Sequence, residues 1–295
     1  MQNINRIFLL GDSWVEGQGT FESIENRPNG KIHLCENGLH GIELSNWRKE
    51  NSWNKFLKKY VNCEIINLAK QGASNYIQFS ELNSILSNLN KNDLVLFGFT
   101  SKYRDTTHQI QYAYTQGFDL ISPTNPLRNL IAYEKSKVNS VQGFSETNSN
   151  YKSDFEKTFT ENFIQDFFVQ VFDENLYENV AQNNYLFYQN WFKSKQLNVL
   201  FFDLFESYVN PKFVNNMFDV DEKMYITYKK DSMHQNLLKY ELETYSKDSP
   251  YTIWEYADVK FPPMTEIYHP NQYGYEYYVD WLWKTYLSKQ YKFNG

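Results

Sequence analysis

The sequence predicts an α/β fold, a three-layer sandwich with a central parallel sheet that carries long insertions. Three observations lead there. Four short runs, at 6–12, 63–69, 93–100 and 198–205, are apolar throughout rather than alternating, the pattern of strands covered on both faces. Helical patterns separate these runs, so each strand is followed by a crossover connection of the kind parallel sheets use. The chain has 295 residues, 41% of them hydrophobic, enough for one large core, and we treat 1–295 as a single domain.

In chain order, "RIFLLGD" (6–12) opens the sheet. "NSWNKFLKKY" (51–60) then sets Trp53, Phe56, Leu57 and Tyr60 on one side of a helix, with Ser52 as its cap. "CEIINLA" (63–69) is the second strand, and "SNYIQFSELNSILSNL" (74–89) repeats Ile77, Leu82, Ile85, Leu86 and Leu89 at helical intervals. "DLVLFGFT" (93–100) is the third strand. A helix over 179–196 leads directly into the fourth, "NVLFFDLF" (198–205), and a long aromatic helix over 271–290 ends the chain. The segments 17–50, 101–175 and 206–265 are too long for bare connections. We read them as insertions forming a cap or rim, the middle one with a helix-like stretch at 153–172.

Composition excludes several functions. A net charge of −6 without a basic stripe argues against a nucleic-acid partner. No run approaches the roughly 18 apolar residues needed to span a bilayer. The N-terminal apolar run of four residues, closed by Asp12, does not read as a signal peptide, so none is expected. The expected location is therefore cytoplasmic, with association with a phage or virion left open. Cys35 and Cys63 are the two cysteines, read as free thiols. No Lys follows the glycines of "GDSWVEGQG" at phosphate-loop spacing. His33, His40, His108 and His234 have no partner at metal-ligand spacing. No metal or other cofactor is expected.

Parallel sheets carry their sites beyond the carboxyl ends of the strands. Ser13 follows the first strand, Gly72 the second, and Thr100 ends the third, so all three belong to one edge. A hydroxyl nucleophile needs a base, and the base needs a group to orient it. Among five histidines, His269 has the surroundings of such a base. Glu266 lies three residues before it and Pro270 directly after it, at the entry to the last helix. Asp12 is read as structural, its carboxylate tying down backbone N–H groups of the loop.

This constellation resembles the SGNH (GDSL-type) hydrolase family, whose domain is a flavodoxin-like sandwich with four sequence blocks. Gly11-Asp12-Ser13 matches the first block, and "INLAKQGASN", with Asn67 and Gly72, matches the second. The third reads Gly98-Phe99-Thr100-Ser101, with Thr100 where the family has Asn. In the fourth, Glu266-Ile267-Tyr268-His269 has Glu in place of Asp. The resemblance implies Ser13 as nucleophile, His269 as base and Glu266 as its orienting acid. It also implies an oxyanion hole from the Ser13 N–H, the Gly72 N–H and a third donor, for which Thr100 and Arg104 are the candidates. The activity implied is hydrolysis of short-chain, acetyl-type O-acyl esters. The aromatic insertions suggest a carbohydrate or another small molecule as the ester's bearer. Two alternatives use the same scaffold: acyl transfer to another alcohol, and a carbohydrate-binding or structural module with weakened catalysis.

Overall fold

The computed structural model describes residues 1–18, 20, 41–101, 174–211, 219–244, 269–270 and 272–293. Glu266, Arg104, Cys35, His33, His40, His108 and the helix-like stretch at 153–172 lie outside the described residues.

The chain is α/β, with a four-stranded parallel sheet at its centre. In chain order, β1 (Gln2–Ile4), β2 (Arg6–Leu10) and the single-turn α1 (Ser13–Glu16) come first. They are followed by α2 (Gly41–Asn51), α3 (Trp53–Leu57), β3 (Glu64–Asn67) and α4 (Asn75–Ile85). Next are β4 (Asp93–Phe99), α5 (Glu174–Lys195), β5 (Asn198–Asp203) and α6 (Met233–Thr244). Finally, α7 (Gln272–Leu282) runs through a π-helical turn into the short α8 (Ser288–Gln290) and β6 (Tyr291–Phe293).

The sheet has strand order β3-β2-β4-β5 with every pair parallel. Its strands are the four apolar runs, and their side chains divide strictly by parity. Ile7, Leu9, Leu94, Leu96, Leu200 and Phe202 point to one face, where Trp14, Trp53, Leu237, Tyr278 and their neighbours from α1, α3, α6 and α7 cover them. Phe8, Leu10, Val95, Phe97, Phe99 and Phe201 point to the other, against Phe79 and Leu82 of α4 and Tyr185, Tyr188 and Phe192 of α5. Burial on both faces is why these strands lack a polar alternation. Register is fixed at the amino end by Arg6 and Asp93, directly opposed on β2 and β4, whose side chains form a two-point ion pair at 2.8 and 2.7 Å.

Several elements differ from the sequence expectation. The helix expected over 51–60 is two helices, α2 beginning at Gly41 and α3 restarting after Ser52. Ser52 makes no side-chain cap; its hydroxyl donates instead to the Glu16 carbonyl. Residues 41–50, expected in a rim, are therefore helical. The described parts of 206–265 also belong to the body of the fold rather than to a rim. Tyr225 bridges to Phe201 beside β5, while Ile226, Met233 and Leu237 are fully buried. Beyond the four expected strands, β1 and β6 form a small parallel pair joining the two ends of the described chain. Cys63 is a free thiol, pushed up to about 11 by burial.

Asp203 closes β5 and is 1% exposed. Its carboxylate accepts from the Tyr225 hydroxyl, from the Thr227 hydroxyl at 2.8 Å and from the Tyr208 N–H at 2.9 Å. Burial outweighs these donors and pushes the carboxyl up to about 6 from 3.8. The folded state then holds a proton that the unfolded chain releases, so the contribution of Asp203 to stability is fully present below about pH 4 and is lost as pH rises towards 6. At 1.36 kcal/mol per unit, the difference is about 3 kcal/mol. Asp203→Asn should remove this pH dependence. Urea-unfolding midpoints of wild type and variant should diverge between pH 4 and 6, the wild type losing stability; parallel curves would show that Asp203 titrates normally.

Candidate active site

The strand register sets the framework. Leu10 stands opposite Phe97, Leu9 opposite Asn67 and Phe99 opposite Asp203, so the carboxyl ends of all four strands meet at one edge. The loops carrying Ser13, Gly72 and Thr100 leave from that edge.

The sheet strand β2 stops at Leu10 because the next residues build a helix start. Gly11 permits a close approach: a Cβ there would lie 2.2 Å from Val15 Cγ2. Asp12 is the N-cap of α1, its Oδ1 accepting the Trp14 N–H at 2.9 Å, the satisfaction a helix start requires. Gly17 ends the turn at φ +105°, a left-handed conformation that suits glycine. Ser13 is thereby fixed as the first residue of a one-turn helix, buried at 3% exposure. At β3, Asn67 ends the strand by turning its side chain into local bonds. Its Oδ1 accepts the Ala69 N–H at 3.0 Å, and its Nδ2 donates to the Val15 carbonyl at 2.9 Å. The chain then reaches Gly72, exposed and left-handed at φ +69°.

Two residues separated by 256 positions meet at this edge: His269 Nε2 lies 2.9 Å from Ser13 Oγ. That is within the roughly 2.6–3.2 Å reach of a general base. With hydrogen on Nδ1, the imidazole accepts the Ser13 hydroxyl proton at Nε2. Pro270 is buried directly behind it, and α7 follows, so His269 sits at the foot of a core helix.

Among the described residues, neither the Ser13 N–H nor the Gly72 N–H donates to a protein acceptor. Both residues stand at strand-end turns with an uncommitted donor, which is what an oxyanion hole needs. Thr100 is different, and the structure corrects its candidacy as third donor. Its hydroxyl donates to Asp12 Oδ2 at 2.7 Å. Its N–H donates to Asn75 Oδ1 at 2.9 Å, and its carbonyl accepts from Asn75 Nδ2 at 3.0 Å. Every polar group of Thr100 is thus engaged inside the protein, and at 1% exposure the residue is screened from any ligand.

Sequence reasoning missed Asn75, whose position in the first turn of α4 reads as an ordinary helix start. It also missed the pair formed where Ser101 Oγ donates to Glu206 Oε1 at 2.7 Å, joining the β4 and β5 ends. His234, set aside as a metal ligand, packs its ring edge-on to Trp14, centroids 5.7 Å apart, and against Phe205. Among the described residues no three His, Cys, Asp or Glu side chains converge to hold a metal ion. No described helix is long and apolar enough to cross a membrane. No protein-family model matches the chain, and no curated protein matches it.

Proposed function

We propose that this protein is a serine hydrolase of SGNH type that cleaves short-chain O-acyl esters through an acyl-Ser13 intermediate. The observation that carries the reading is the 2.9 Å approach of His269 Nε2 to Ser13 Oγ. The parallel sheet with helices on both faces is consistent with the three-layer sandwich of that family. The aromatic-rich segments favour a carbohydrate as the bearer of the ester.

In this reading Ser13 Oγ attacks the ester carbonyl carbon while its proton passes to His269 Nε2. The carbonyl oxygen becomes an oxyanion facing the Ser13 and Gly72 N–H groups. Collapse of the tetrahedral adduct breaks the bond to the alkoxy oxygen, which leaves as the alcohol with the proton from His269. Water then attacks the acyl-Ser13 carbonyl, gives a proton to the same imidazole, and releases the acid and the free serine. Glu266 would orient the imidazole and stabilise its charged form.

A second reading is favoured by one observation, the commitment of Thr100 to Asp12 and Asn75. Without a third donor the scaffold would bind more than it catalyses, since removing one oxyanion donor typically costs roughly 10²–10³ in rate. A fluorophosphonate probe and p-nitrophenyl acetate separate the two readings. The hydrolase reading expects stoichiometric labelling, mapped to Ser13 by peptide mass, together with release of p-nitrophenol. Folded protein that fails to label would favour the binding module.

A further inference from the structure

We infer that Thr100 is a positioning residue that ties together the two turns carrying the oxyanion donors, with Asn75 and Asp12 as its anchors. The inference rests on the hydrolase reading above and gives the third strand end a role other than donating to the substrate.

The two uncommitted N–H groups belong to separate turns, Ser13 after β2 and Gly72 after β3. Stabilising one oxyanion requires that both point at the same place to within a fraction of an ångström. On the strand side the two turns are already joined, the Lys70 N–H donating to the Gly11 carbonyl at 3.2 Å and Asn67 Nδ2 to the Val15 carbonyl at 2.9 Å; the Thr100 path adds a separate tie through the end of β4. Asn75, three residues beyond Gly72, is fully buried and grips the Thr100 backbone from both sides, accepting its N–H and donating to its carbonyl. A side-chain amide bonded in this way acts as one more strand rung, holding the Gly72 turn to the end of β4. Thr100 then reaches across to the other turn, its hydroxyl donating to Asp12 Oδ2. The second oxygen of Asp12 holds the Trp14 N–H and so sets the start of the helix on which Ser13 stands. The path Gly72 turn–Asn75–Thr100–Asp12–Ser13 is continuous, and its four connecting bonds span 2.7 to 3.0 Å. A β-branched residue with one hydroxyl suits the central position. Its χ1 is restricted, and its single O–H leaves no second donor to compete for the carboxylate.

The test is the rate of Ser13 phosphonylation by a fluorophosphonate, with kcat and KM for p-nitrophenyl acetate, in Thr100→Val, Thr100→Ser, Asp12→Ala and the double variant Thr100→Val/Asp12→Ala. Losing the hydroxyl should lower labelling and kcat by about tenfold, the scale of one lost hydrogen bond, with KM unchanged. Thr100→Ser, which keeps the hydroxyl, should restore the rate to within about threefold. Because the two residues act along one path, the double variant should be no slower than the slower single. A wild-type rate in Thr100→Val, or multiplied losses in the double variant, would overturn the inference. If Thr100→Val does not fold, Thr100→Ala, which also lacks the hydroxyl, decides it, the same tenfold loss being expected and a wild-type rate overturning it. Wild-type protein that never labels would remove the hydrolase reading together with this one, whereas a labelled wild type with unchanged variants removes the tie alone.

Discussion

Ser13→Ala should abolish ester hydrolysis and fluorophosphonate labelling, with kcat falling on the order of 10⁴-fold or more, while the protein stays folded. The magnitude follows from covalent catalysis: without Oγ no acyl-enzyme forms, and only the N–H donors and binding remain to act on water's attack. His269→Ala should cost about as much, because an unassisted hydroxyl is a poor nucleophile near neutral pH. Groups that work as a unit are not additive, so the double variant should be no slower than either single. Stability separates this from simple damage. Among the described residues the hydrogen bond of Ser13 Oγ is the one to His269, so removing one oxygen from a tightly held turn should move the thermal midpoint by only a few degrees. Initial rates with p-nitrophenyl acetate and thermal melts of the three variants check this. Activity retained in Ser13→Ala would assign the hydrolysis to another group.

The parts of the molecule that are legible in the sequence share a physical cause. The four central strands are apolar on both faces because helices cover both, and that leaves a plain mark in the sequence. The apolar runs at 6–12 and 63–69 extend two residues past the strands they contain, because side chains intervene. Asp12 caps α1 after Gly11, and Asn67 folds back onto Ala69. Elements without a one-sided apolar pattern leave no comparable mark. Helix α2, "GIELSNWRKEN", has no such stripe, and β1 and β6 are three residues each. Helix α6 lies inside a segment too polar to suggest a core element, although Met233 and Leu237 give it a buried side. The meeting of Ser13 and His269 can be anticipated from the motifs around them, Gly11-Asp12-Ser13 and the acid three residues before His269, although 256 positions separate them. The fate of Thr100 cannot, because no motif pairs it with Asn75 or with the second oxygen of Asp12. Which of its groups remain available is decided by tertiary contacts alone.

Trp53→Ala should destabilise the fold by about 3–5 kcal/mol, the usual cost of emptying a large aromatic from a core. Trp53 is fully buried at the start of α3. Its ring stacks on Phe202 of β5, centroids 5.6 Å apart, and meets Tyr278 of α7 edge-on at 5.8 Å. One side chain thus joins the sheet to two helices. Its indole N–H also donates to the Trp14 carbonyl at 3.0 Å. Helix α1 is a single turn, and the Gln18 N–H goes to Ser13 rather than to Trp14, so the Trp14 carbonyl relies on a donor from outside the helix. Trp53→Phe keeps most of the packing and removes that donor, so it should cost only about 1–2 kcal/mol. The two variants therefore separate packing from hydrogen bonding. Trp53→Ala should lower the urea midpoint far more than Trp53→Phe. Both should slow Ser13 labelling below their melting range, since both loosen the turn that holds the nucleophile. A Trp53→Ala midpoint within about 1 kcal/mol of wild type would mean that α3 does not seat Trp53 between Phe202 and Tyr278. The support for α1, and with it the fixed position of Ser13, would then have to come from elsewhere.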